Sequence, residues 1–163
     1  MWSSEVTNMI ITGIWETLYM TLVSTLAGYV IGLPMGIILT VSDKDGIKPN
    51  AVLYKILDVI ANIVRSVPFI ILLVLLIPFT RLVVGKSYGS TATIVPLVIA
   101  AAPYIARMVE SSLKEVDAGV IEAARSMGAS NFTIITKVML VEARTSLLVG
   151  ATITLGTILG YSA

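Results

Sequence analysis

Long runs without a charged residue limit what this chain can fold into. The longest extends from Thr17 to Ser42, 26 residues, which as a helix would measure about 39 Å against a lipid hydrocarbon core of about 30 Å. Three further runs cover residues 66–80, 87–106 and 145–163. In lipid, a helix satisfies all of its own backbone polar groups, and runs of this length are typical of transmembrane helices. The sequence therefore predicts an all-α, polytopic membrane helical bundle with about four transmembrane helices.

The second run is too short to cross a membrane, since Ser66 to Thr80 comprises only 15 residues. We expect this span to begin upstream, near Ile60, and to include Arg65, whose side chain can reach the membrane surface.

Composition excludes several classes of protein. Mean hydropathy is +0.95, and charged residues make up 13% of the chain, about half of the usual share. A net charge of +1 gives no electrostatic basis for binding nucleic acid. Cysteine and histidine are both absent, which excludes disulfides, Cys/His metal sites and histidine proton relays within this sequence. We expect no cofactor and no metal.

Lysine and arginine are distributed unevenly between the connecting segments. With four spans, segments 42–58 and 107–144 lie on one side and carry eight of these residues, whereas the other side carries only Arg81 and Lys86. Positively charged segments stay on the cytoplasmic side. The N-terminus is therefore expected outside and segment 107–144 in the cytoplasm.

The cytoplasmic segment contains a predicted short helix with clear ends. Asp117 can accept hydrogen bonds from the first free amides, so that a helix is expected over residues 118–127. Gly128 suits the left-handed position that ends a helix. Its apolar side needs a covering surface, from this chain or from a partner.

A second cytoplasmic helix is predicted from Asn131 toward Ala143, with Ser130 as its cap. Phe132, Ile135 and Met139 are expected to share one face of that helix.

Small residues recur at intervals of four in two of the spans. Gly28, Gly32 and Gly36 lie in the first, and Gly156 and Gly160 in the last. This spacing predicts a ridge against which another helix packs closely; a pore-lining hinge is the alternative.

One partial motif concerns ATP. The stretch "TRLVVGKS" has the end of a phosphate-binding loop, but Thr80 occupies the position of its first glycine and no strand precedes it. We interpret it as a connecting turn, which leaves the chain without an ATP site of its own.

The stretch "EAARSMG", followed by "VMLVEA", resembles the EAA loop of type I ATP-binding-cassette importer permeases. The family pattern is E-A-A, three residues, G, nine residues, then I-x-L-P. The correspondence consists of Glu122, Ala123, Ala124, Gly128 and Leu140, with Val138 for the isoleucine and Val141 for the proline. With valine instead of proline, we expect the second cytoplasmic helix to continue smoothly into the last span.

Four other stretches, "WETLYMTL", "RSVPFIILL", "PYIARMVE" and "GATITL", resemble the methionine-uptake permeases of that family. The resemblance implies a permease domain over residues 14–163 in a bacterial cytoplasmic membrane, transporting D- or L-methionine. Such permeases continue with a glycine-rich segment and a fifth helix, so the domain is expected to be incomplete at its C-terminus.

The resemblance also implies partners and residue roles. Two permease copies would form the path, two ATP-binding subunits would hydrolyse ATP, and an extracytoplasmic binding protein would deliver the substrate. In this scheme Glu122 makes a polar contact with the ATPase, Ala123 and Ala124 allow close approach, and Gly128 permits the turn. Thr157 and Tyr161 are candidates for the translocation path, because their span follows directly from the docking helix.

Two alternatives remain open. The chain could be a permease for another amino acid or small solute, since pore residues rarely determine the substrate of such systems. A self-contained channel or secondary transporter is the other. Proton-coupled transporters usually carry an ionisable residue in mid-span, and the charge-free runs contain none.

Overall fold

The structure, a computed structural model, describes residues 3–162, and every regular element in this range is helical. In chain order these are α1 (Ser4–Ser42), α2 (Ala51–Ser66), α3 (Phe69–Leu75), α4 (Ile77–Val84), α5 (Ser90–Lys114), α6 (Ala118–Ser126), α7 (Asn131–Thr133), a π-helical turn (Ile134–Met139), α8 (Leu140–Glu142) and α9 (Arg144–Ser162). The predicted all-α class is confirmed.

Three of the helices, α1, α5 and α9, are long and apolar enough to cross a membrane. The consecutive helices α2 and α3 reach the required length only together, and they are bent by 102° at the break between them. Three or four candidate spans therefore agree with the predicted number.

If the bent pair of α2 and α3 forms the second span, that span begins upstream of Ser66 and includes Arg65, as predicted, but it is interrupted. Pro68 disfavours helical backbone at the residue before it, and Val67 is accordingly extended, with φ −85° and ψ 123°. A second interruption follows at Leu76, where ψ is 0°. The apolar run thus consists of two short helices, α3 and α4, and α2 is a separate helix in front of them.

Two of the predicted spans extend further as helices. α1 begins at Ser4, where the Ser3 hydroxyl accepts a bond from the amide of Val6, and includes Glu16. α5 continues past Ala106 to Lys114, so the first part of the predicted cytoplasmic segment is the end of a long helix. Ala163, the expected end of the last span, lies outside the described residues.

The glycines of α1 lie directly against α5. A Cβ atom at Gly32 would be 2.7 Å from the carbonyl oxygen of Ala102 and from Cβ of Ile105, and one at Gly36 would be 2.6 Å from the carbonyl oxygen of Ala106. Such distances leave no room for any side chain. The predicted packing ridge is confirmed for α1.

The glycines of α9 behave differently. A Cβ atom at Gly156 or Gly160 would meet no atom within 4 Å among the described residues. The predicted close packing at these two positions is therefore not made within residues 3–162.

We expect Gly32→Ala to lower the free energy of unfolding by about 1–3 kcal/mol, the usual cost of overpacking, because the new methyl group would meet backbone atoms of α5. Thermal unfolding of the detergent-solubilised protein measures this. Gly13→Ala is the control, since Gly13 lies in the same helix with open space around it. Equal midpoints for the two variants would contradict the prediction.

Candidate functional site

The short helix α6 begins and ends as predicted. The carboxylate of Asp117 accepts a hydrogen bond of 2.7 Å from the amide of Gly119. At the other end Gly128 is left-handed, with φ +82°. Its amide donates to the carbonyl of Arg125, and the next amide, of Ala129, donates to the carbonyl of Ala124. This pair of bonds is a Schellman motif, which stops the helix without leaving its last carbonyls unpaired.

The segment after Gly128 is helical but not a uniform α-helix. Ser130 caps it as predicted, accepting from the amide of Thr133 at 3.2 Å. Residues 134–139 form a π-helical turn, and the amide of Leu140 donates to the carbonyl of Ile135, five residues earlier. A π-turn contains one residue more per hydrogen-bonded turn than an α-helix. The sequence pattern did not indicate this turn.

The π-turn changes which side chains of this segment are buried. Ile134 and Met139, five residues apart, are both buried in the core, whereas Phe132 is 76% exposed. The prediction that Phe132 shares the face of Ile135 and Met139 is therefore wrong for Phe132. The reason is that side chains five residues apart lie on one face of a π-turn, while an α-helix places that face at intervals of three and four.

The predicted docking residues on α6 lie on two different sides of the helix. Ala124 is 5% exposed and packs in the core with Ile134 and Met139. Glu122, Ala123 and Gly128 are exposed. The apolar side that was predicted for this helix is therefore buried against the rest of the chain at Ala124.

Two large apolar side chains are exposed near the end of α6. Met127 is 81% exposed, and Phe132 follows just beyond the turn at Gly128. Together with Glu122, Ala123 and Gly128 they form what we term the outer face of α6. Sequence reasoning had assigned Phe132 to the inside, so it missed this part of the surface.

A cavity of about 540 Å³ separates α6 from the loop that follows α1. Charged side chains line much of it: Asp43, Asp45, Lys114, Glu122 and Arg125. Arg125 donates to the carbonyl oxygen of Ile47 at 3.3 Å, so α6 contacts this loop directly.

One ion pair at the cavity joins the ends of α1 and α5. Lys114 Nζ lies 2.7 Å from Asp43 Oδ2. The hydrogen bond from Lys114 lowers the pKa of Asp43 below its ordinary value of 3.8, although partial burial opposes the shift. Asp43 is therefore ionised at neutral pH.

The candidate path residues lie at the far end of α9. Tyr161 is about half exposed, and its ring stacks on Phe69 with the centroids 4.9 Å apart. Thr157 lies one helical turn before Tyr161 and donates its hydroxyl to the carbonyl of Ile153. Thr157 lies 13 positions after Arg144, the first residue of α9, which is about 20 Å along a helix. Thr157 and Tyr161 therefore lie toward the end of α9 that is farther from α8.

Comparison with known proteins yields consistent relatives. The family described as binding-protein-dependent transport system inner membrane component matches residues 28–163. The D-methionine transport system permease protein MetI of Salmonella typhimurium is 55% identical over 155 residues, which cover 95% of this chain and 71% of that protein. The MetI protein of Escherichia coli K12 shows the same identity and coverage.

Solved structures give the same picture. A structure of inward-facing conformations of the MetNI methionine ABC transporter aligns with a TM-score of 0.96 and 53% identity, covering 99% of this chain and 74% of the matched chain. An amino acid ABC transporter solved with histidines aligns with a TM-score of 0.76 at 24% identity, covering 97% and 71%, and shares the fold.

Gly128→Ala should destabilise the turn after α6 by about 1–2 kcal/mol, the cost of a left-handed backbone for a residue with a Cβ. Since no atom lies within 4 Å of the added Cβ, strain is the sole reason. Gly128→Asn is the matched control, because asparagine tolerates this conformation better. The prediction fails if the two variants unfold at the same temperature.

The ion pair of Asp43 and Lys114 should make stability depend on acid pH. Because the folded-state pKa of Asp43 is lowered, the pair stabilises the protein above pH 3.8, and this contribution is lost as the pH falls through the lower folded-state pKa. Asp43→Asn should therefore lower the unfolding temperature at neutral pH and leave it unchanged in strong acid. A difference between the two proteins that persists in strong acid would contradict this.

Proposed function

This chain belongs to the family of inner membrane components of binding-protein-dependent transport systems, and from that membership we propose that it is the permease subunit of an ATP-driven methionine importer. It is a multi-pass membrane protein that forms the translocation path as a homodimer. One observation carries this function, the 55% identity to a D-methionine permease over 95% of the chain. The permease domain that we propose covers residues 14–163.

We further propose that the chain works with separate ATP-binding subunits, two per permease dimer, and an extracytoplasmic binding protein. The N-terminus lies outside and α6 in the cytoplasm. The uneven distribution of lysine and arginine, eight against two, supports this orientation. A cytoplasmic α6 is accessible to a soluble ATPase.

The outer face of α6 is the proposed contact with the ATPase. Its exposed apolar side chains, Met127 and Phe132, can fill an apolar cleft. Ala123 allows close approach, Glu122 supplies a polar contact at the edge, and Gly128 permits the turn. Ala124 differs from the other alanine, because it is buried in this chain. We assign it the role of seating α6 on the core.

Movement of α6 then reaches the membrane through its neighbours. Ala124 packs with Ile134 and Met139 of the π-turn, and Ala143 is the one residue between α8 and α9. With so short a connection, a displacement of the π-turn displaces α9 as well. Thr157 and Tyr161 lie on α9, and we propose that they border the translocation path.

Reconstitution tests the function as a whole. The permease is purified with the ATP-binding subunit of the same organism, placed in liposomes with the binding protein, and assayed for uptake of radiolabelled methionine. We expect ATP-dependent uptake against which D- and L-methionine both compete. Uptake in which another amino acid competes and methionine does not would reject the substrate, and flux without the ATPase would reject the mechanism.

Ala123→Trp should uncouple the complex. A bulky ring at the proposed contact costs about 1–3 kcal/mol of packing, which weakens binding of the ATPase by about fivefold or more and should lower ATP-driven uptake. Ala123→Ser, a small replacement at the same exposed position, should retain uptake. Both are measured as uptake and ATP hydrolysis in the reconstituted complex. If Ala123→Trp shows wild-type rates of uptake and ATP hydrolysis, Ala123 is not part of the contact with the ATPase.

A further inference from the structure

The helix α2 has two unlike faces. Val52, Ile56 and Ile63 are exposed on its apolar side. Three polar side chains, Tyr54, Asp58 and Asn62, recur every four residues, and each is hydrogen-bonded directly to Arg107 or Glu110 of α5. Residues at this spacing lie on one side of a helix. The polar side of α2 is therefore turned toward α5.

Glu110 is the central residue of this contact. Its side chain is only 6% exposed, and both carboxylate oxygens are used. Oε2 accepts from Nη1 of Arg107 at 2.7 Å. Oε1 accepts from Nζ of Lys114 at 2.8 Å and from the hydroxyl of Tyr54 at 3.2 Å.

The two cations extend this contact in opposite directions. Nη2 of Arg107 donates to Asp58 and, at 3.1 Å, to Asn62, both on α2. Lys114 reaches Asp43 at the end of α1. The result is one sequence of alternating charges, which we term the ion-pair chain: Asp43, Lys114, Glu110, Arg107 and Asp58.

Glu110 is the shared anion of the two cations. Arg107 and Lys114 lie one helical turn on either side of it. Without its charge each cation would keep a single anionic partner, Asp58 for Arg107 and Asp43 for Lys114. Glu110 therefore helps to order Arg107, whose other bonds go to α2.

The ion-pair chain lies between the docking helix and the bend in the membrane. Only three residues separate Lys114 from the start of α6. At its other end α2 leads into the 102° bend, and Phe69, just beyond the bend, stacks on Tyr161. A displacement of α6 that is passed to α5 reaches the near side of this bend through α2, if α2 moves with α5.

We infer that Glu110 is a positioning residue for coupling, which holds α2 and α5 together as one body during the ATP-driven cycle. The inference rests on the proposed function, because it requires an ATPase acting on α6. It assigns to Glu110 no contact with substrate or ATP. Its effect is on how much transport each hydrolysed ATP yields.

The first test is Glu110→Gln, which keeps the shape of the side chain and removes its charge. The complex should still bind the ATPase and hydrolyse ATP, while methionine transported per ATP should fall about tenfold, within the usual range of coupling between distant sites. Glu115→Gln is the matched control, an exposed glutamate just after the same helix, and should leave the ratio unchanged. An unchanged ratio in Glu110→Gln would overturn the inference.

If Glu110→Gln does not fold, Asp58→Asn takes its place. This variant removes the charge on α2 and leaves both cation bonds of Glu110 intact. The same fall in transport per ATP is expected, and wild-type coupling would again overturn the inference.

A chemical cross-link between α2 and α5 shows whether coupling is lost because the two helices are no longer held together or because the fold is disrupted. The chain has no cysteine, so Asp58→Cys combined with Arg107→Cys can be joined by a short bifunctional thiol reagent. The unjoined double variant should be uncoupled, and the joined one should regain transport per ATP. A joined complex that hydrolyses ATP but transports nothing would mean that α2 and α5 must separate, which contradicts the inference.

The cross-link also distinguishes failure of this inference from failure of the proposed function. Transport per ATP of the joined complex is measured with methionine and with the other amino acids. A joined complex that stays uncoupled for every amino acid would overturn the inference whatever the substrate. One that regains coupled transport of another amino acid but not of methionine would retain the inference and reject only the substrate. If no ATP-binding subunit associates with the permease, the inference and the proposed function are both rejected.

Discussion

The close approach of α1 and α5 is the interaction on which the rest of the structure depends. Lipid offers no hydrophobic gain for helix association, so contact must come from packing, which glycine makes possible by removing side chains. Gly32 and Gly36 bring the α1 backbone against Ala102 and Ala106. Because α1 and α5 both also contact α9, their separation determines where that helix lies. It also determines where α6, which follows α5, meets the loop after α1.

Local features of this protein were predictable from sequence, because they depend on residues close together in the chain. The charge-free runs indicated α1, α5 and α9. The ends of α6 followed from Asp117 and Gly128, whose roles are properties of one side chain and one backbone angle. The break before Pro68 could have been predicted from that residue alone.

Features that join distant segments could not be predicted. The ion-pair chain brings together residues 43, 58 and 107–114, and no local pattern indicates which of many charges will meet. The burial of Ala124 beside the exposed Ala123 likewise depends on where the core lies. The same holds for Phe132, which is exposed although Ile134 and Met139, just after it, are buried in the core. The sequence thus predicted a candidate site on α6, but it did not separate the inner side of that helix from its outer side.

The π-turn has a consequence for how such chains can change over time. It amounts to an α-helix with one inserted residue. Gain or loss of a residue within 134–139 would rotate Phe132 relative to α9 by about 100°, the angle per residue of an α-helix. Both flanking helices would otherwise stay intact. The direction in which Phe132 points is therefore set by the length of this segment, and no substitution within the spans is needed to change it.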